Sequence, residues 1–185
     1  LLAIGLADSE KTLFLLEQAQ SHVPDLPVKF YGDIAECAYM DHPHIVGQII
    51  DHCTPEQLDA VPADLLYNAM VQNDYRFAYK LAGKGICADD SIQEIAGYCA
   101  RNAQNWDIES LMQRGMQIST ENYAAMRTFL EHEWPEAGQI LLDRGMDFEA
   151  FKQRAAENHI DLSQHESLGQ LDAHWDGIHE QDSRM

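Results

Sequence analysis

The stretch IAECAYMDHPHIVGQIIDHC, residues 34–53, decides how this chain is read. Its first part ends in the small pair Cys37-Ala38, and a polar break follows at Asp41-His42. Pro43 then opens a second segment, in which Ile45, Val46, Ile49 and Ile50 recur at helical spacing before Cys53. Proline suits the first position of a helix, because the N–H it lacks would find no helical partner there. The pattern predicts two short amphipathic helices packed back to back, with their turn just before Pro43.

Working outward from it, versions of the same hairpin recur. Residues 1–21 carry apolar clusters on both sides of a polar run at 8–11. Residues 65–85 place Leu65, Leu66 and Ala69 before a break at 72–74, then Phe77, Ala78, Leu81 and Ala82 before Gly85. Residues 95–115 place Ile95 and Cys99-Ala100 before a break at 102–105, then Ile108, Leu111 and Met112 before Gly115. Residues 123–145 place Met126, Phe129 and Leu130 before a break at 131–133, then Pro135, Ala137, Ile140, Leu141 and Leu142 before Gly145. Cys53, Gly85, Gly115 and Gly145 thus end units 32, 30 and 30 residues apart, and glycine in that place suits a left-handed C-cap.

Between the copies, Thr54-Pro55-Glu56-Gln57 and Ser91-Ile92-Gln93-Glu94 read as capping boxes, and Ser119 with Thr120 as caps of the next helix. A closing helix is expected over 147–158, with Phe148, Phe151 and Ala155 facing inward. Residues 161–185 form an acidic, histidine-containing tail with little periodicity, expected to be mobile or loosely docked. One hairpin cannot bury its apolar face alone, so neighbouring hairpins must stack to make a continuous core. A period near thirty predicts an all-α solenoid of about five stacked helix-turn-helix units in a repeat domain spanning 1–160.

These units resemble the ankyrin repeat in a degenerate form. Residues 34–38 stand at the family's first-helix motif, with its alanine pair represented by Cys37-Ala38 and later by Cys99-Ala100. His42-Pro43 stands at the interhelical turn, Ile45-Val46 and Ile49-Ile50 in the second-helix core, and Gly85, Gly115 and Gly145 at the closing glycine. The threonine-proline start of the family's first helix is absent from every unit, and the period is shortened to 30 in later ones. The missing residues fall between Gly115 and Tyr123, so the projecting β-hairpin fingers of the family are expected to be reduced or absent. Another helical-hairpin solenoid stays an alternative, the tetratricopeptide type fitting less well because its period is about 34 and its helices are longer. The resemblance implies a non-enzymatic module for binding other proteins.

Composition bounds the partners. With 185 residues, 45% of them hydrophobic, the chain can fill one core. No apolar run is long enough to span a bilayer, so a soluble protein with no membrane partner is expected. Thirty-one acidic residues against 12 basic ones give a net charge of −19. The bases are scattered singly, which argues against direct nucleic-acid binding. The acidic field would speed encounter with a basic protein. It also motivates the alternative function: an acidic inhibitor, or a nucleic-acid-mimicking decoy that blocks a basic nucleic-acid-binding protein.

Four cysteines without a CxxC pair read as buried free thiols in a reducing, cytoplasmic compartment. The chain opens on Leu1-Leu2-Ala3 with no charged-then-apolar signal segment, and a lost N-terminal signal stays open. His174 and His179 are five residues apart, off a shared helical face, so no metal or other cofactor is expected. No nucleophile-base set or phosphate loop stands out, and no catalytic residue is assigned. Tyr39, Tyr75, Trp106 and Trp134 fall at or beside the interhelical breaks. Large aromatics on a surface anchor interfaces, so these four, with His42, Asp74, Asn102 and His132 as polar neighbours, form the expected partner-binding face.

Overall fold

A computed structural model describes residues 43–58, 61–62 and 64–182. The described chain is mostly helical and contains no β-strand. Its helices are α1 (Pro43–His52), α2 (Pro55–Leu58), α3 (Asp64–Val71), α4 (Tyr75–Gly83), α5 (Ile92–Arg101), α6 (Ile108–Arg114), α7 (Tyr123–Glu131), α8 (Pro135–Asp143), α9 (Phe148–Glu157) and α10 (Leu168–Asp182). Short 3-10 turns at Asp89–Ser91 and Leu162–Gln164 precede α5 and α10. None of these helices is long and apolar enough to cross a membrane. The second helix of the organising hairpin is α1, beginning at Pro43; the unit at 1–21 and the first half of 34–53 lie outside the described residues.

The helix ends explain the thirty-residue rhythm. After α4, Gly85 (φ +84°) donates to Ala82 O and Ile86 to Leu81 O; after α8, Gly145 (φ +99°) donates to Leu142 O and Met146 to Leu141 O. This pair of bonds is the Schellman closure, in which one left-handed residue satisfies two orphan carbonyls and turns the next side chain back onto the helix. Ile86 and Met146, the residues turned back, are 1% and 0% exposed. The same closure ends α3 at Asn73, α7 at Glu133 and α9 at His159, with φ of 56°, 54° and 58° on non-glycine residues.

At helix starts the capping box at Thr54 forms: Thr54 N–H donates to Gln57 Oε1 at 2.8 Å and Gln57 N–H to Thr54 Oγ1 at 3.3 Å. The one expected at Ser91 does not, since the Ser91 side chain makes no capping bond to α5. The cap of α7 is Asn122, whose side chain accepts from Ala125 N–H, in place of the expected Ser119 and Thr120. Asp89 instead accepts from Ser119 N–H at 2.9 Å and Asn122 Nδ2 at 2.8 Å. Asp89, about thirty residues upstream, thus holds the segment that leads into α7, while Asn122 itself caps the helix.

The chain forms two compact units. One holds the described residues up to Ala88 together with Arg114–Gln117; the other holds Asp89–Gln113 and the chain from Ile118 onward. In the first, Val46, Ile49, Ile50, Leu66, Met70 and Leu81 are buried among α1, α3 and α4. Lys80 of α4 donates to Gly47 O at 3.1 Å and pairs with Asp51 at 2.6 Å, tying α4 to α1. Ala88 N–H donates to Gln117 O and Gln117 N–H to Ile86 O, an isolated parallel bridge between Cys87 and Gln117.

In the second unit α5 to α10 bury Ile95, Trp106, Leu111, Phe129, Leu141 and Phe148. Arg144 donates to Met112 O at 2.8 Å. The expected closing helix is α9, with Phe148, Phe151 and Ala155 at 0%, 3% and 5% exposure. The tail read as loosely held is helical over α10. Leu171 is 1% exposed, and a Cβ on Gly138 of α8 would stand only 2.8 Å from its Cδ2. One leucine seated where a glycine leaves room docks this helix, which is why no periodicity announced it.

Candidate functional site

Of the eight residues expected on a partner-binding face, Tyr39 and His42 lie outside the described residues. In the first unit, Asp74 is the N-cap of α4 and accepts from Phe77 N–H at 3.1 Å, so its side chain is committed to the helix start. Tyr75 follows it, 36% exposed beside Val71 at 45%, with the Tyr79 ring 6.4 Å away. Arg114 lies over Tyr79 at 4.1 Å, a cation–π contact that fixes this aromatic patch.

In the second unit, Asn102 closes α5: its Nδ2 and its backbone N–H both donate to Tyr98 O, at 3.0 Å. Trp106 corrects the sequence expectation, for it is 2% exposed and belongs to the core. The polar run at 102–105 is long enough to fold over, and Trp106 N–H donates back to Asn102 O while the indole sits inside. His132 and Trp134 do meet, ring centroids 4.7 Å apart and 26° from parallel, both half-buried at the turn between α7 and α8.

Between them, Glu133 points at the start of α10. Its carboxylate accepts from Ser167 N–H at 2.8 Å and Glu166 N–H at 3.2 Å. The Ser167 bonds chiefly, with Glu166 and the nearby His165 adding to them, hold this carboxyl below the ordinary carboxylate range. His174 Nε2 lies 2.7 Å from Asp143, a second tie between α10 and α8. His174, in the tail expected to be loosely docked, is therefore part of the contact between α10 and α8.

A depressed folded pKa stabilises docking fully above the ordinary glutamate value of about 4.3, and that contribution disappears as pH falls through the lower folded value. Acidification should thus loosen α10 in the wild type. Glu133→Gln should already show faster amide exchange across α10 at neutral pH, with a weaker acid response. Superimposable pH profiles for the two proteins would show that Glu133 does not hold the helix.

Two of the described thiols are quiet. Burial pushes Cys53 up to about 11 against the opposing effect of Lys84, and burial with the Asp107 carboxylate pushes Cys99 up to about 12. Neither is a thiolate at neutral pH, so neither is a ready nucleophile. No three His, Cys, Asp or Glu side chains among the described residues gather into a metal-binding group.

The feature that sequence reading missed is a groove in the second unit, lined by α7, α9 and the segment after α9. Tyr123, Phe151, Ala155, Ile160 and Leu162 line it, with Arg127 and Arg154 beside them; its volume is about 180 Å³. Tyr123 and Phe151 pack with centroids 6.1 Å apart. The available signal was Tyr123-Arg127 and Phe151-Arg154, aromatic-arginine pairs one helical turn apart on consecutive hairpins. Neither a family model, nor a curated protein, nor a solved structure matches this chain.

Proposed function

We propose that this chain is a non-enzymatic protein-interaction module, built as an ankyrin-like solenoid of stacked helical hairpins with reduced fingers. The observation that carries the reading is the spacing of polar contacts within each unit. Lys80 to Gly47 spans 33 residues, Asn122 to Asp89 spans 33, Arg144 to Met112 spans 32, Ser167 to Glu133 spans 34, and His174 to Asp143 spans 31. Each bond joins residues a little more than thirty apart, close to the repeat period, as stacking of neighbouring repeats would require. The Cys87–Gln117 bridge supports shortened fingers, because it joins the loops after α4 and α6, where hairpins would otherwise project. The exposed side chains of Val71 and Tyr75 and the aromatic groove offer surfaces for a partner.

The test has two parts. Purified chain immobilised on a support should retain specific proteins, and that retention should survive a rise in ionic strength well above physiological, as an aromatic-anchored contact does. Steep loss with salt, together with retention of nucleic-acid-binding proteins, would favour the decoy alternative that the charge of −19 suggests. For the architecture, a chain ending at Gly145 should keep a cooperative helical unfolding transition while losing stability stepwise. Complete unfolding of that truncated chain would refute a repeat array.

A further inference from the structure

The groove in the second unit runs against the character of the rest of the molecule. In a chain with 31 acidic and 12 basic residues, its lining contains two arginines and no carboxylate. Arg127 gives its Nε to Glu131 at 2.7 Å, which leaves the outer N–H groups of its fork for another acceptor. Arg154 has no carboxylate partner among the described residues; its guanidinium lies 5.6 Å from the Tyr123 ring centroid, held at the groove by cation–π attraction. The interior is apolar: Phe151 and Ala155 are nearly fully buried, with Tyr123, Ile160 and Leu162 half-buried around them. At about 180 Å³ the space falls short of the roughly 300–1,000 Å³ typical of small-molecule sites. It suits a single large apolar side chain.

We propose that this groove binds an acidic peptide segment of a partner protein. One bulky apolar side chain would seat against Phe151 and Leu162, and flanking carboxylates would pair with Arg154 and the outer edge of Arg127. Arginine forks recognise carboxylates through paired, charge-assisted hydrogen bonds, and the apolar floor supplies the anchor that peptide recognition needs. The inference rests on the interaction-module reading and sharpens it in an unexpected direction: net charge alone argues for a basic partner, whereas the local chemistry selects an acidic one.

The test is fluorescence anisotropy with a labelled peptide of sequence Glu-Glu-Leu-Phe-Glu-Glu, run beside versions with lysines for the glutamates or serines for Leu-Phe. The acidic apolar peptide should bind the wild-type chain, and both comparison peptides should bind much more weakly. Arg154→Glu at an exposed position should weaken binding by about tenfold or more, the loss expected for a charge-assisted contact. Ala124→Trp, also exposed and at the edge of the groove, should block the seat without disturbing the core. Equal binding of the three peptides, or unchanged affinity in both variants, would overturn the proposal. A protein captured by the wild type that binds both variants equally well would refute this groove while leaving the interaction-module reading standing.

Discussion

Replacing Trp106 with alanine is expected to cost about 3–5 kcal/mol of folding stability. The side chain is 2% exposed, and it is the largest of the deeply buried ones among the described residues. Removing it takes away both its apolar transfer energy and the contacts of every group that surrounds it. Against a total stability of about 5–15 kcal/mol, that is enough to move a urea midpoint far toward zero. Tyr75→Ala is the matched control: 36% exposed at the first turn of α4, it should cost roughly 0.5 kcal/mol of stability or less. The two aromatics had the same standing as surface anchors on sequence grounds, so the pair of measurements separates core from face. A Trp106→Ala protein as stable as the wild type would place the indole outside the core.

Gly115→Ala should also be strongly damaging. At φ +132° an alanine is strained wherever it sits, which costs about 1–3 kcal/mol. Here the added Cβ would also stand 2.8 Å from the Ala82 carbonyl oxygen, a backbone atom that cannot rotate away. Gly145 supplies the comparison. It is also left-handed, at φ +99°, but nothing lies within 4 Å of a Cβ built there. Gly145→Ala should therefore cost only the conformational part, about 1–2 kcal/mol, and Gly115→Ala distinctly more. Thermal or urea unfolding of both variants checks the order. Equal losses would mean that the turn at Gly115 does not press against the end of α4.

Much of the fold was legible because its punctuation is chemical. Glycine at 85 and 145 marks left-handed closures and at 115 a positive-φ turn, proline at 43 and 135 marks helix starts, and Thr54 with Gln57 forms a reciprocal cap. Where the same jobs fall to less distinctive residues, the signal vanishes. Asn73, Glu133 and His159 adopt the same left-handed geometry, which asparagine and histidine signal less sharply than glycine and glutamate does not signal at all. Asn122 caps α7 in place of the expected Ser119 and Thr120, and Asp89, from outside the local sequence, binds both Ser119 N–H and Asn122 Nδ2.

The candidate site was less legible for a related reason. Interface propensity is a property of exposure, and exposure of Trp106 depends on how a four-residue polar turn folds over it. Asp74 and Asn102 were read as polar neighbours of a partner, yet each bonds its own helix end. Arg127 and Arg154 were submerged in a strongly negative average, since a sum over the chain carries no information about which charges share a wall.

The one-period reach of the polar contacts also bears on how this chain acquires its structure. Bonds such as Lys80 to Gly47 and Ser167 to Glu133 close loops of little more than thirty residues. Loop-closure entropy grows only slowly with length, and chains whose contacts are local in sequence reach their transition states quickly. If the hairpins stack as proposed, nucleation at one well-formed hairpin would spread to its neighbour, and a ribosome-bound chain would begin ordering before its final residues emerge.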